Sequence, residues 1–227
     1  MTTAELLIVG GTIVDGTGAP RRPGAVAVLG EQLRVLPAEA GPLDEIPAGR
    51  RIDATGRIIA PGFIDLHSHS GLWLLADGRH EPKVRQGVTA EVIGVDGNAY
   101  APFPSRQDLD DFVVLNGGLD GRPDIAYDWD TVASYLRRFD GRIAVNVAYL
   151  VGNSALRIAA LGWDDVPTTP EKTRDMRAML REAMAEGAFG VSSGLDYTPG
   201  SYATTDELAE LAGEAARHGG FYHTPVR

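Results

Sequence analysis

Ile59-Ala60-Pro61-Gly62-Phe63-Ile64-Asp65-Leu66-His67-Ser68-His69 is an apolar run that ends in two histidines one residue apart. It reads as a buried strand that delivers both imidazoles at its C-terminal end. Side chains alternate faces along a strand, so His67 and His69 point one way while Leu66 and Ser68 point the other. Two neutral imidazoles side by side on a rigid element suit a divalent metal. The bland alternative is a pair of hydrogen-bonded structural histidines. The apolar lead-in, the Pro-Gly bend and the strand terminus favour the metal pair.

Downstream of this run, apolar strands alternate with helical stretches. Candidate strands cover 58–66, 89–96, 143–151, 188–195 and 220–224. Asp130 or Thr131 can cap a helix running through Phe139. Thr169 and Pro170 open a helix from Glu171 to Gly187, with Met176, Met179, Leu180 and Ala183 as a core stripe. Thr205-Asp206-Glu207-Leu208 opens the next helix, which ends at Gly219-Gly220. Residues 98–128, rich in Gly, Pro and Asp, form an excursion with a short helix near 107–115. This alternation predicts parallel βαβ units. Five such strands fit an unfinished (β/α)8 barrel, which needs about 250 residues when complete. An open doubly wound sheet is the other arrangement that fits.

Upstream, residues 4 to 58 read as short strands separated by turn clusters such as Asp15-Gly16-Thr17-Gly18-Ala19-Pro20. That turn precedes no helix and lacks a third glycine, so it is no dinucleotide site. Two units follow: a small β unit at 1–58 and an α/β unit at 59–227.

Composition narrows the function classes. The 227 residues carry 21 Lys and Arg against 31 Asp and Glu, a net charge of −10. Such a surface repels phosphate backbones, which argues against nucleic acid. Cysteine is absent, so neither a disulfide framework nor a thiolate metal site is available. The N-terminal residues lack a signal-peptide pattern, and no run approaches the ~20 apolar residues of a membrane span. These features are expected of a soluble cytoplasmic protein.

Further residues could carry chemistry. Asp96 ends the second candidate strand, beside the first if the two run parallel. Its carboxylate could complete a metal site or simply shape the turn before Gly97. Gly190-Val191-Ser192-Ser193-Gly194 matches the G-x-S-x-G elbow of serine hydrolases, but Leu195 to Gly200 cannot start the helix that an elbow requires. His223, on the fifth strand, is a candidate ligand. His80, at a helix start, and His218, at a helix end, read as structural, with His80 exposed. Lys83 and Arg85 read as solvated helix charges.

With these residues in place, the chain resembles the amidohydrolase superfamily, and within it the D-aminoacylase (N-acyl-D-amino-acid deacylase) branch. The resemblance rests on Leu7 to Gly18, on Ile52 to Asp65 leading into His67-x-His69, on Arg85-Gln86-Gly87-Val88-Thr89, on Leu150-Val151-Gly152, on Gly194 to Gly200, and on Arg227. It implies a β-sandwich portion followed by the first half of a TIM-type barrel. It also implies metal-dependent hydrolysis of amide C–N bonds in N-acyl amino acids, with zinc as the expected metal. His67 and His69 match the strand-one metal pair of that family. Asp96 matches a strand-two position that usually carries cysteine, and oxygen in place of sulfur changes the metal preference. Tyr197 and Arg227 match substrate-side positions.

Two departures stand out. Pro225 occupies the place of the strand-five histidine, two residues before Arg227, which leaves His223 as the nearest imidazole. The later strands of the family, with another histidine ligand and the general-base aspartate, lie beyond residue 227. The 227-residue chain is therefore expected to be a fragment with little activity alone, prone to self-association through an open sheet edge. The rivals are a serine hydrolase using Ser192 and a non-enzymatic remnant that kept the scaffold as an interaction protein.

Overall fold

In a computed structural model, residues 3–41 and 45–225 are described. The chain divides into two compact units, Met1–Gly62 and Phe63–Arg227.

The first unit is one mixed five-stranded sheet. Its strands are β1 (Ala4–Ile13), β2 (Arg22–Leu29), β3 (Gln32–Pro37), β4 (Ala48–Asp53) and β5 (Ile58–Ile59). The order is β3-β2-β1-β4, and β5 pairs with β1. β1–β2 and β2–β3 are antiparallel hairpin neighbours, whereas β4 and β5 run parallel to β1. Its core is small: Ala4, Leu7, Val9, Ala25 and Ala27.

The second unit is a parallel sheet in sequential order. β6 (Phe63–Ser68), β7 (Val88–Ile93), β8 (Asn146–Gly152), β9 (Gly190–Ser192) and β10 (Phe221–His223) are neighbours in turn. Sequential order with helical crossovers curls the sheet into half of a barrel, so the doubly wound alternative does not apply. Eight α-helices lie between these strands among the described residues, beginning with α1 (Gly71–Ala76) and α2 (Glu81–Val84) after β6. α7 (Pro170–Ala185) and α8 (Thr205–Arg217) are the longest.

Alternation along the strands splits two clusters. Ile93, Tyr149, Val151 and Val191 join the main core against the helices. Val92, Leu150 and Val95, with Ala148, form a small cluster on the other face. The Met176, Leu180 and Ala183 stripe of α7 is buried as its spacing foretells, with Met179 partly buried beside it. Burying each of the larger side chains contributes about 1.5–3 kcal/mol. Thr169 caps α7 by accepting from Lys172 N, and Thr204 caps α8 by accepting from Glu207 N.

Several local expectations shift. The run from Ile58 is two strands, broken at Pro61-Gly62, where β5 leaves the first sheet and β6 begins the second. The helix after Trp129 is short, α5 (Val132–Leu136), with Thr131 and Ser134 forming a reciprocal cap. The excursion carries α3 (Arg106–Leu115) and a further turn, α4 (Gly117–Asp120). An additional helix, α6 (Asn153–Leu161), follows β8 directly. No helix among the described residues is long and apolar enough to cross a membrane.

Three arginines on two helices surround Glu214 of α8. Arg177, Arg181 and Arg217 lie 2.9, 2.9 and 3.0 Å from its carboxylate, which is 2% exposed. Burial pushes the carboxyl up, but the hydrogen bonds and charges of Arg177 and Arg181 outweigh it and hold the pKa down to about 2. The folded value lies below the unfolded one, so the stabilisation is present above about pH 4.5 and is lost as pH falls toward 2. A thermal-denaturation series from pH 5 to pH 2 should show a falling Tm, with a shallower fall in Glu214→Gln. Equal slopes would contradict this.

Candidate metal centre

β6 ends at Ser68, so His69 stands one residue past it and His67 is its penultimate residue. Ser68 turns toward the helix layer, where its hydroxyl donates to buried Glu91 of β7. His67 and His69 take the opposite face. The parallel pairing of Ser68 with Ile93 brings the segment after β7 alongside. Three residues on, Asp96 sits with φ +55°, a left-handed conformation uncommon outside glycine but tolerated by aspartate. Gly194, after β9, permits this approach: a Cβ there would lie 2.2 Å from the Asp96 carbonyl oxygen.

The three side chains converge. His67 Nε2 lies 3.1 Å from Asp96 Oδ2, and His69 Nε2 lies 3.3 Å from the same oxygen. One donor atom from each residue falls within 4.8 Å of the others. Tetrahedral bonds of about 2.0–2.1 Å to N and O donors require donor spacings near 3.3 Å. The His67 contact also serves as a hydrogen bond, but Asp96 Oδ1 is left buried without a partner. A buried carboxylate oxygen with nothing to accept from is costly unless something cationic meets it. The residues present therefore fit a divalent ion.

His223 comes to the same place. It ends β10, and its ring centroid is 5.2 Å from that of His67. Its Nδ1 is buried and unpartnered. Burial, with His67 beside it, lowers its pKa and favours the neutral imidazole that a metal needs; Asp96 opposes this. Pro225 lies past the end of β10 and contributes no donor. Arg227 lies outside the described residues.

The electrostatics extend outward from the three donors. His69 Nδ1 lies 2.8 Å from Asp120 Oδ1, and this hydrogen bond raises the His69 pKa, against burial and aided by Asp96. Tyr197, in the segment between β9 and α8, is half-buried; burial raises its phenol pKa, and the charges of Asp96, Asp196 and Asp120 add to the shift. The phenol therefore keeps its proton at neutral pH and lies within electrostatic range of the same carboxylates.

Other residues settle differently from their sequence reading. Ser192 is fully buried, donates to the Gly94 carbonyl at 2.5 Å and accepts from Gly97 N at 3.0 Å. It ties β9 to the turn that shapes Asp96, and no α-helix begins until α8 (Thr205–Arg217), so it has neither the exposure nor the geometry of a nucleophile. His80 is not exposed: its side chain is 12% accessible, and Nε2 lies 2.8 Å from Glu91 Oε1. Lys83 is not merely solvated, because it pairs with Asp65 on β6. His218 is the C-cap residue of α8, with Nε2 3.5 Å from Glu214 Oε1, and is structural as its sequence position suggests. Sequence reasoning missed Asp120 and Glu91. Asp120 sits 51 residues from its histidine in an aperiodic segment, and Glu91 is a lone acid inside an apolar strand.

Comparison with known proteins finds relatives along nearly the whole chain. A D-aminoacylase from Alcaligenes xylosoxydans xylosoxydans is 37% identical over 98% of this chain, and an N-acyl-D-aspartate deacylase from the same organism is 38% identical over 99%. The chain spans 44% and 43% of the lengths of these relatives. Among solved structures, the N-acyl-D-glutamate deacylase of Bordetella bronchiseptica, complexed with zinc and a phosphonate mimic of the tetrahedral intermediate, superposes with a TM-score of 0.85. It is 34% identical, covering 99% of this chain and 45% of that one. A D-aminoacylase structure gives 0.82 at the same identity and coverage. Residues 50–222 match the model of the amidohydrolase family, and the chain belongs to that family.

Proposed function

We propose that this chain carries the metal-donor part of a hydrolase that cleaves the amide bond of N-acyl-D-amino acids. The observation that carries the reading is the convergence of His67 Nε2, His69 Nε2 and Asp96 Oδ2 at the C-terminal ends of two adjacent parallel strands. The D-amino-acid side of the proposal is supported by the deacylase relatives.

Two imidazoles and a carboxylate suit Zn²⁺, with His223 placed to approach from the β10 side. An ion of this class supplies Lewis acidity and an activated water near neutral pH. The chain's own residues do the rest. Asp96, on its constrained turn, supplies the negative charge; His67 and His69 supply neutral nitrogens from a rigid strand end. Tyr197 offers a protonated phenol to a carbonyl or carboxylate of the substrate, and Arg227 is a candidate partner for that carboxylate.

We also infer that the N-terminal sheet is one layer of a β-sandwich. Leu33, Val35, Ile52 and Ile58 are 71%, 44%, 37% and 66% exposed, more apolar surface than a single finished layer presents. Phe63, Ile64 and Leu66 on edge strand β6 are 65%, 63% and 64% exposed, which favours association of the isolated chain through that edge.

The experiment is a deacylation assay of the purified 227-residue chain on N-acetyl-D-amino acids, with and without added Zn²⁺ and chelator. Residues 1–227 by themselves are expected to hold metal but to turn over slowly, with any activity abolished by chelator and confined to D-substrates. Chelator-insensitive hydrolysis would overturn the metal reading, and efficient zinc-dependent turnover would overturn the expectation of low activity.

A further inference from the structure

Asp120 reaches the candidate metal centre from outside it. It is the last residue of the short helix α4, in the excursion between β7 and α5, and its side chain is 2% exposed. Its two oxygens are divided between two partners. Oδ1 lies 2.8 Å from His69 Nδ1, and Oδ2 accepts from the Tyr100 hydroxyl at 2.5 Å.

The segment around it is built to hold this position. Gly121, next in the chain, has φ +73°, and a Cβ there would lie 2.6 Å from Nε1 of Trp73 on α1 (Gly71–Ala76). Only glycine lets the chain turn against that indole and aim Asp120 inward. Tyr100 is fixed in turn, because Trp129 Nε1 donates to its carbonyl at 2.7 Å and its ring packs on Phe112. Burial and the charge of Asp120 keep the Tyr100 phenol protonated far above neutral pH, so its proton stays available to donate to Asp120.

These contacts determine the chemistry of His69. An ionised carboxylate accepts hydrogen bonds and donates none. The Asp120 contact, at 2.8 Å, is the hydrogen bond, and the 3.3 Å approach of Asp96 is the longer one, so in the neutral ring Nδ1 carries the proton and the lone pair is left on Nε2. Nε2 is the atom 3.3 Å from Asp96 Oδ2. We propose that Asp120 is a positioning residue of the metal centre: it fixes His69 in the tautomer and ring orientation that present Nε2 to the ion. The inference rests on His69 being a ligand. It assigns to the excursion a role that no spacing in the sequence discloses.

The test uses two readouts on the 227-residue chain. The first is the ¹⁵N chemical shifts of His69 in the metal-free protein at a pH where the ring is neutral. The second is Zn²⁺ affinity by competition with a chromogenic chelator. The wild-type chain should show the Nδ1-protonated tautomer. Asp120→Ala should lose that preference and bind Zn²⁺ about 10–100-fold more weakly, the range typical for such supporting carboxylates. Asp120→Asn, which keeps an acceptor oxygen and nearly the same shape, should recover part of both. Tyr100→Phe should fold normally and weaken binding only a few-fold. Binding by Asp120→Ala within twofold of wild type, or an Nε2-protonated His69 in the wild-type chain, would overturn the proposal while leaving the metal site standing. If the wild-type chain takes up no Zn²⁺, the ligand reading falls and this proposal falls with it.

Discussion

Replacing Asp96 is expected to lower Zn²⁺ affinity more than 100-fold, beyond the ~10–100-fold loss caused by removing a supporting partner. Asp96 supplies the one charged donor of the group, and both imidazole nitrogens converge on its Oδ2 at 3.1 and 3.3 Å. Without it, two neutral nitrogens remain with no anion between them. The variant must be chosen with the backbone in mind, because residue 96 sits at φ +55°. Alanine would add conformational strain to the loss of the ligand, whereas asparagine tolerates this region and keeps the size. Asp96→Asn should therefore fold with nearly unchanged chemical-denaturation behaviour in the absence of metal. Ligand binding stabilises by about 2.7 kcal/mol at a concentration of 100 Kd, so wild type should gain a clear Tm increment from Zn²⁺ that Asp96→Asn lacks. Equal increments would show that Asp96 is a turn residue and no ligand.

The second large effect lies away from the metal. Arg157 on α6 and Glu207 on α8 form an ion pair with side chains 1% and 0% exposed, and Arg157 also donates to the Val166 carbonyl at 3.0 Å. This contact bridges two helices that cover the sheet. Removing one partner strands the other charge in the interior, which costs about 3–5 kcal/mol. Arg157→Ala and Glu207→Ala should each lower the unfolding free energy read from urea denaturation by about 3–5 kcal/mol. The pair as a whole contributes much less, since Arg157 Nε and Glu207 Oε1 are themselves buried without partners. The double replacement Arg157→Met with Glu207→Leu should therefore recover most of the loss. A double variant as unstable as either single one would show that the pair stabilises the fold directly.

The strand ends were the most legible part of this chain. An apolar lead-in, a Pro-Gly break and alternating side chains foretell where His67 and His69 point, because strand geometry is local. The long helices are legible too: Thr169-Pro170 and Thr205-Asp206 mark where α7 and α8 open, because caps act within one turn, although the cap of α8 is Thr204, one residue earlier. What the sequence hides is long-range. α6 begins directly after β8 with no polar cap to announce it, since Gly152 occupies its N-cap. Ser192 matches a catalytic pattern in letters, yet its hydroxyl is spent on Gly94 and Gly97, nearly a hundred residues away in sequence. His80 resembles an exposed helix residue until Glu91 is seen beneath it. In each case the deciding partner comes from a different βα unit, and only the curled sheet brings the two together.

The central claim is that His67, His69 and Asp96 form a metal site. Elemental analysis of the purified 227-residue chain after zinc loading and desalting tests it directly, beside the double variant His67→Ala/His69→Ala checked for native circular dichroism. The account expects about one equivalent of zinc in the wild-type chain and essentially none in a folded double variant. A metal-free wild type, or the same zinc content in both proteins, would contradict it.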